Sequence, residues 1–276
     1  MPYRLLAFDY DGTAAVDGQL PTQRVCDAVS AARARGVIAV LATGRPYESA
    51  ARYAAALNLD APVICFQGAM VRELTGDKRV LYVEPAPADV MCEVMALAEE
   101  RELEFNIYGE DVMHVIDRGR PAEFYEQWFG MAIRFARSYA EICDRVAAAG
   151  KPPLKGLFIG SAESNDAFRD ELRARFGARL AVVRSHDLFV EVHSLDASKG
   201  HGLRFLANHY GIPRSETIAV GDSGNDASMI EWAGLGIAVA NALPEVFAVA
   251  DEIAPPVTED GLAHVIERHF LDNGRI

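Results

Sequence analysis

The stretch LLAFDYDGTAA, residues 5–15, joins a short apolar run to two acids, Asp9 and Asp11, and to Gly12. A continuous apolar run of this length is typical of a strand that is buried on both faces of a parallel sheet. In such sheets, ligands bind outside the carboxyl ends of the strands, which is where the two acids stand. The stretch therefore predicts a buried strand that delivers carboxylates to a site.

Alternating strand and helix signals follow this strand and return near the other end of the chain. TQRVCDAVSAARARG predicts a helix that stops at Gly36, and VIAVLAT and APVICF predict two more buried strands. Later, ETIAVGD and GIAVA predict strands on either side of a helix in NDASMIEWAG. This alternation predicts an α/β fold with a Rossmann-like, doubly wound parallel sheet as its core.

The middle of the chain has a different pattern. A long helix is followed by two strands with a tight turn at Gly109, two helical stretches, a helix from Glu163 to Phe176, and strands around LAVVRSHDLFVEVH. Hairpins and helices placed between two strand–helix blocks predict an inserted α+β cap domain. The predicted division is a cap at residues 85–190 and a core made of residues 1–84 and 191–276.

Composition narrows the class of protein. Of the 276 residues, 50% are hydrophobic and 24% are charged, which favours a folded chain with a sizeable core over a disordered one. The formal net charge of −13 argues against binding to nucleic acid or to an anionic membrane surface. No apolar run reaches the roughly 20 residues of a membrane span, and acids interrupt the N-terminal apolar run too early for a signal peptide. We therefore expect a soluble, cytoplasmic protein.

The four cysteines, Cys26, Cys65, Cys92 and Cys143, are widely spaced and include no C-x-x-C pair. This spacing favours reduced, partly buried thiols over zinc ligands or a disulfide framework.

Polar side chains from separated stretches are expected at one edge of the predicted sheet, because each follows a predicted strand or begins a helix. These residues are Asp9 and Asp11, Thr43 in LATGRP, Lys199 in DASKGHGL, and Asp222 and Asp226 in AVGDSGNDASM. Carboxylates brought this close together repel one another unless a divalent cation holds them, and Mg²⁺ prefers such oxygen ligands. The set therefore suggests phosphoryl transfer.

The residue types fit that reaction. Of two acids at i and i+2, one can attack phosphorus while the other protonates the leaving oxygen and later activates water. Gly12 lets the backbone turn sharply beside the phosphate, Thr43 offers a hydroxyl, and Lys199 supplies a positive charge.

The motifs DYDGT, ATGR, SKG and GDSGND, in that order, resemble those of the haloacid dehalogenase superfamily, and more narrowly those of the Cof-type sugar-phosphate phosphatases. The resemblance covers nearly the whole chain, since that subfamily carries an α+β cap between its second and third motifs. It implies a Mg²⁺-dependent hydrolase of small phosphate monoesters that works through an aspartyl-phosphate, with the substrate between core and cap.

The resemblance also implies residue roles. Asp9 would be the nucleophile and Asp11 the general acid/base. The phosphate would be held by Thr43, Gly44, Lys199 and Asn225. Magnesium would be bound by the Asp9 side chain, the Asp11 backbone carbonyl and Asp222, with Asp226 acting from outside the metal's own ligands.

Arg45 and Gln67 do not tell which phosphate ester is the substrate. Arg45 either reaches the substrate or the cap, or it pairs with surface carboxylates. Gln67 stands where many relatives carry Asn, which puts the leaving-group preference in doubt. Sugar phosphates, polyol phosphates, pyridoxal phosphate and flavin mononucleotide all fit, and the sequence does not indicate an oligomeric state.

Two other functions are compatible with the motifs. A phosphomannomutase-like phosphotransferase would pass the phosphoryl group to a second sugar hydroxyl instead of water. A non-catalytic protein that binds a phosphometabolite would need Lys199 and Thr43 but no nucleophile, and the adjacent acids Asp9 and Asp11 argue against it because their repulsion does not help phosphate binding.

Overall fold

The computed structural model of the protein describes residues 3–117, 121, 123, 125, 130–186 and 188–272. The chain divides into two compact units, one made of Met1–Tyr82 and Ser198–Ile276 and the other of Val83–Ala197. This division differs from the predicted boundary at residue 190, which falls inside a strand that belongs wholly to the second unit.

Strands run through both units of the described chain. They are β1 (Leu5–Phe8), β2 (Ile38–Leu41), β3 (Val63–Cys65), β4 (Met70–Arg72), β5 (Val80–Val83), β6 (Glu104–Tyr108), β7 (Val112–Ile116), β8 (Ala132–Ala136), β9 (Lys155–Ile159), β10 (Ala181–His186), β11 (Phe189–His193), β12 (Thr217–Gly221), β13 (Leu235–Val239) and β14 (Glu252–Ala254).

The described α-helices occur in both units. They are α1 (Gln23–Ala34), α2 (Tyr47–Ala56), α3 (Ala88–Glu100), α4 (Tyr139–Ala149), α5 (Ala162–Phe176), α6 (Lys199–His209), α7 (Ala227–Trp232), α8 (Pro244–Phe247) and α9 (Gly261–Ile266). Within the described ranges, none of these helices has the length and apolar composition that a membrane crossing requires.

The first unit is built on a parallel sheet of five strands in the order β14-β13-β12-β1-β2. In the interior strand β1, Leu5 and Ala7 pack in one cluster with residues of α6 and α7. Leu6 and Phe8 point to the opposite face of the sheet and are also 0% exposed. Burial on both faces explains why this strand is apolar at every position.

Helix α1 shows how local sequence sets the element boundaries. The Thr22 side chain accepts a hydrogen bond from the Val25 backbone N–H, which caps the first turn. Gly36, just after the last turn, has a φ of +85°, a conformation that glycine adopts readily. The predicted stop at this glycine is confirmed.

The predicted third strand of the core forms differently from expectation. β3 belongs to a separate sheet of three strands, β3-β4-β5, in which β3 and β4 are antiparallel. Only one parallel bridge, between Ala42 and Ile64, links it to the strand region of β2 within the described chain. The cause is a tight turn at Phe66–Gly68, which sends the chain back along β3 at once.

The second unit is an α+β arrangement. Six strands form one sheet in the order β10-β11-β9-β6-β7-β8, antiparallel except for the parallel pair β7 and β8. Helices α3, α4 and α5 contribute to the same buried apolar cluster as Phe105 and Phe158 of the sheet. The hairpin around Gly109 and the helix ending at Phe176 match the predictions. One of the two helical stretches expected after the hairpin falls largely outside the described residues.

The second unit also buries an ion pair. The Lys155 Nζ of β9 lies 2.8 Å from Glu191 Oε1 of β11, with the two side chains 4% and 8% exposed. The ammonium lies 5.0 Å from the ring centroid of Tyr108, a cation–π distance.

The prediction of four reduced thiols is wrong for two of them. Cys92 of α3 and Cys143 of α4 form a disulfide with a Cα–Cα distance of 6.0 Å, inside the usual range. Cys26 and Cys65 remain thiols. Sequence spacing missed the pair because 51 residues separate the two cysteines, and only the packing of α3 against α4 brings them together.

Candidate active site

The three neighbouring strands β12, β1 and β2 end at the same edge of the core sheet, and each is followed by a predicted site residue. Asp9 follows β1, Thr43 lies two residues after β2, and Asp222 follows β12. The Asp9 N–H donates to the Val220 carbonyl at 3.1 Å, so the register of β1 against β12 fixes the position of Asp9. The parallel order therefore brings together the stretches that the sequence pattern placed at one edge.

Lys199 is at the centre of the cluster. Its Nζ lies 2.8 Å from Asp9 Oδ1 and 2.6 Å from Asp226 Oδ1, and its side chain is 0% exposed. Ser198 caps α6 by accepting from the His201 N–H, which places Lys199 in the first turn. A lysine buried this deeply needs such partners, because an uncompensated ammonium in the interior is costly.

Asp226 anchors the cluster through both of its oxygens. Oδ1 binds Lys199, while Oδ2 accepts from the backbone N–H groups of Asp222 and Ser223, each at 3.0 Å. Asp226 is 0% exposed. The two hydrogen bonds from the backbone N–H groups hold the turn that carries Asp222.

Asp222 is oriented from both sides. Thr13 Oγ1 donates to its Oδ1 at 2.7 Å and Ser223 Oγ donates to its Oδ2 at 3.1 Å. A Cβ at position 12 would lie 2.4 Å from Asp222 Oδ2, and Gly12 has a φ of +77°. Both facts explain why this turn requires glycine.

The carboxylates of Asp9, Asp222 and Asp226 form a group that could hold a metal ion, since one oxygen from each lies within 4.8 Å of the others. Burial raises the pKa of Asp9 well above its ordinary value, although Lys199 opposes this shift. Burial also raises the pKa of Asp222 to about 6, partly offset by the hydrogen bond from Thr13. Three close acids and one ammonium leave negative charge uncompensated, which is the environment that attracts a cation.

Lys199 stays protonated despite its burial. Burial alone would lower the pKa of its ammonium, but the carboxylates of Asp226 and Asp9 outweigh burial and raise that pKa. The site therefore keeps one permanent positive charge on protein atoms.

The carboxylate of Asp11 pairs with Arg45. Arg45 Nε and Nη2 donate to its two oxygens at 2.7 and 2.8 Å, a bidentate pair with both side chains about one-third exposed. The Arg45 guanidinium also lies 4.8 Å above the ring of Tyr53. The observed partner of Arg45 is thus a carboxylate of the predicted site itself, which neither of the two alternatives for Arg45 had named.

One residue near the cluster was not among the predicted site residues. Gln67 is 4% exposed, and its Oε1 accepts from Asn225 Nδ2 at 2.7 Å. Its amide packs so closely on the backbone of residue 44 that a Cβ there would lie 2.4 Å from Gln67 Nε2, which explains Gly44. The signal in the sequence was the short FQG stretch directly after a predicted strand.

Comparison with known proteins decides the family. Residues 6–266 match the family model described as haloacid dehalogenase-like hydrolase. YxeH of Bacillus subtilis is 33% identical over 274 residues, which cover 98% of this chain and 99% of that protein. The chain belongs to the haloacid dehalogenase-like hydrolases.

Other members share the full length and the fold. The 5-amino-6-(5-phospho-D-ribitylamino)uracil phosphatase YitU of Bacillus subtilis is 26% identical, with 98% of both chains covered. A haloacid dehalogenase-like hydrolase from Bacteroides thetaiotaomicron has a TM-score of 0.83 at 28% identity, covering 97% of this chain and 100% of that one. The predicted family, the α/β fold class with its inserted domain, and the phosphatase-type enzyme class are thereby confirmed.

Proposed function

We propose that this haloacid dehalogenase-like hydrolase is a Mg²⁺-dependent phosphatase that hydrolyses phosphate monoesters of small molecules through an aspartyl-phosphate on Asp9. The observation that carries the proposal is the position of the Asp9 carboxylate, 2.8 Å from the buried ammonium of Lys199 and within the same cluster as Asp222. A nucleophile beside a fixed positive charge suits attack on an anionic phosphate.

The acidic cluster fits a magnesium ion. Its donors are carboxylate oxygens, the ligands Mg²⁺ prefers, and Asp226 already spends both oxygens on Lys199 and on backbone N–H groups. Asp9 and Asp222 are therefore the side chains proposed to bind the ion, together with the Asp11 backbone carbonyl. When bound, the ion would neutralise charge on the phosphate oxygens.

In the first step an Asp9 oxygen forms a bond to phosphorus while the bond from phosphorus to the leaving oxygen breaks. Lys199 compensates the negative charge of the transferring group, and the Thr43 hydroxyl and the Asn225 amide are proposed to hold its oxygens. Asp11 gives its proton to the leaving oxygen, so that an alcohol departs and an acyl-phosphate remains.

In the second step water attacks phosphorus of the acyl-phosphate, Asp11 takes up the proton of that water, and the bond between phosphorus and the Asp9 oxygen breaks. Inorganic phosphate leaves and Asp9 is regenerated as a carboxylate. Because both Asp11 oxygens accept from Arg45, we propose that this pair opens and that Asp11 takes up a proton from solvent before it acts as the acid. Arg45 would then hold the ionised Asp11 between turnovers.

We further propose that the Val83–Ala197 unit is the cap that selects the leaving group. The side chains assigned above to phosphate, metal and proton transfer all lie in Met1–Tyr82 and Ser198–Ile276, and their chemistry is common to phosphate esters in general. Choice among esters would then depend on the inserted unit.

The test is phosphate release from a panel of esters, including p-nitrophenyl phosphate, with and without Mg²⁺. Asp9→Asn is assayed in parallel, and Asp27→Asn on the exposed side of α1 is the matched control. We expect Mg²⁺-dependent release that Asp9→Asn reduces by about a thousandfold or more and that Asp27→Asn leaves unchanged.

Three results would contradict the proposal. Full turnover by a folded Asp9→Asn variant excludes Asp9 as the nucleophile. Transfer of the phosphoryl group to a second hydroxyl of a hexose phosphate, in the presence of a bisphosphate, identifies a mutase-like enzyme. Binding of esters without turnover identifies a non-catalytic protein.

A further inference from the structure

The turn that carries Gln67 has an unusual backbone. Phe66 and Gln67 have φ values of 51° and 60°, and Gly68 follows with a φ of 93°. Consecutive side-chain-bearing residues in the left-handed region are uncommon and persist where the surroundings hold them there. Strain of this kind is often found where a turn holds a functional side chain in place.

The turn is fixed to two stretches of the proposed phosphate site. The Phe66 N–H donates to the Arg45 carbonyl at 3.0 Å, and the Gln67 N–H donates to the Thr43 carbonyl at 3.3 Å. On its other side, a Cβ at Gly68 would lie 2.0 Å from the carbonyl oxygen of Ser198, the residue that precedes Lys199. The backbone of Gln67 is therefore locked between the residues proposed to hold phosphate.

The side chain of Gln67 spans from this turn to Asn225. Its Oε1 accepts from Asn225 Nδ2 at 2.7 Å, whereas Asn225 Oδ1 is buried without a hydrogen-bond partner among the described residues. The Asn225 amide thus has one fixed contact, and that contact decides which way its NH₂ group points. One N–H of Nδ2 is used by Gln67, and the second remains to donate elsewhere.

We propose that Gln67 is a positioning residue that orients the Asn225 amide so that its second N–H donates to the phosphate. The proposal rests on the proposed function, since it assigns a ligand to the same site. It goes beyond that function by naming a residue that acts on phosphate affinity through another side chain.

The test is a double-mutant cycle with Gln67→Met and Asn225→Ala, and with Gln23→Met on the exposed face of α1 as the matched control. Methionine keeps the length of glutamine but accepts no comparable hydrogen bond. Two quantities are measured in the presence of Mg²⁺: kcat and KM for p-nitrophenyl phosphate, and the Kd of inorganic phosphate by calorimetry.

If Gln67 acts through Asn225, Gln67→Met raises KM and the phosphate Kd by a similar factor, about tenfold, with kcat close to that of the unmodified protein. In the Asn225→Ala background the same change has an effect below about twofold, because its only route is already removed. Additive effects in the cycle, a loss confined to kcat, or no effect at all would overturn the proposal.

A second variant separates this role from folding of the strained turn. Gln67→Asn suits a left-handed residue better than glutamine but shortens the side chain by one methylene, which removes the contact with Asn225. We expect unchanged or higher thermal stability together with the same loss of phosphate affinity. The proposal is contradicted if Gln67→Asn binds phosphate as tightly as the unmodified protein while Asn225→Ala in that background still weakens phosphate binding.

The phosphate Kd also keeps the two proposals apart. If no ester is hydrolysed but phosphate binds and the cycle shows the coupling, the proposed function fails and the role of Gln67 stands. If esters are hydrolysed and the cycle is additive, the role of Gln67 fails alone. If phosphate neither binds nor is released, both fail.

Discussion

Each unit of the molecule buries a lysine against a carboxylate, and the two sites differ in their charge balance. In the inserted unit, Lys155 meets Glu191 and the face of Tyr108. In the core unit, Lys199 meets both Asp9 and Asp226, and Asp222 belongs to the same cluster of acids. A buried lysine beside a carboxylate can help to specify a fold, whereas three carboxylates grouped around one ammonium mark a place for a cation.

The largest effect is expected from removing each ammonium. Lys155→Met and Lys199→Met should each lower the free energy of unfolding by about 3–5 kcal/mol, because a buried carboxylate loses its compensating charge. Mg²⁺ should restore part of the loss in Lys199→Met only, since the acids there can bind it. Urea denaturation with and without Mg²⁺ measures both.

The matched control for these variants is Lys151→Met. Lys151 pairs with Glu110 in the same unit as Lys155, but its side chain is 59% exposed, so the change should cost less than about 1 kcal/mol. If Mg²⁺ also restored the stability of Lys155→Met, the proposed difference between the two buried lysine sites, that only the core site binds a cation, would be wrong.

The disulfide gives the next largest effect, and it concerns the inserted unit alone. Reducing the Cys92–Cys143 bond, or replacing both residues by serine, should destabilise this unit by about 2–4 kcal/mol, because the bond closes a long loop in the unfolded chain. Thiol titration of the denatured protein should find two thiols before reduction and four after it. Four thiols without a reductant would show that the bond does not form.

The pH dependence of Mg²⁺ binding tests whether the negative charge of the acidic cluster in the core unit attracts the ion. The pKa of Asp222 is about 6 in the folded protein, above its ordinary value of 3.8, so the folded state keeps a proton that the unfolded chain releases. Between these two values, this group makes the metal-free protein less stable as the pH rises. Above pH 6, Asp222 is ionised and would be available to the proposed Mg²⁺.

We therefore expect Mg²⁺ to raise Tm by a few degrees at pH 7 and by much less at pH 5. Asp222→Asn should abolish the difference, and differential scanning calorimetry at both values measures it. Equal shifts at the two pH values would show that protonation of Asp222 does not compete with the metal.

The smallest effect is expected at the pair of Arg45 and Asp11. Their side chains are 30% and 29% exposed, so Arg45→Met should change the free energy of unfolding by less than about 1 kcal/mol, despite the good bidentate geometry. Arg4→Met, which removes the exposed pair with Glu216, is the control for a surface effect. If Arg45→Met lowered the free energy of unfolding as much as Lys199→Met does, the difference in burial would not explain the different strengths of these two ion pairs.

Much of the core unit could be predicted from the sequence, because its signals are local. The apolar run of β1, the Thr22 cap and Gly36 each depend on residues within one element. The grouping of Asp9 with Asp222 and Lys199 followed from the rule that parallel strands end at one edge, combined with the family resemblance.

The features that were missed depend on partners distant in the chain. Nothing in APVICF tells which strand β3 pairs with, and the helices bearing Cys92 and Cys143 pack together only in three dimensions. The direction of the Asp11 side chain toward Arg45 and the contact of Gln67 with Asn225 depend on rotamers and turn geometry, which residue types alone do not determine.

The order of strands in the core sheet has a consequence for synthesis on the ribosome. β1 pairs with β2 soon after both emerge, but its other neighbour, β12, begins only at Thr217. At roughly 5–20 residues per second, one edge of β1 waits about 10–40 s for its partner. The inserted unit, continuous in the chain, can fold in that interval. A nascent chain stalled before β12 would thus expose an open, apolar strand edge, the kind of surface that chaperones protect.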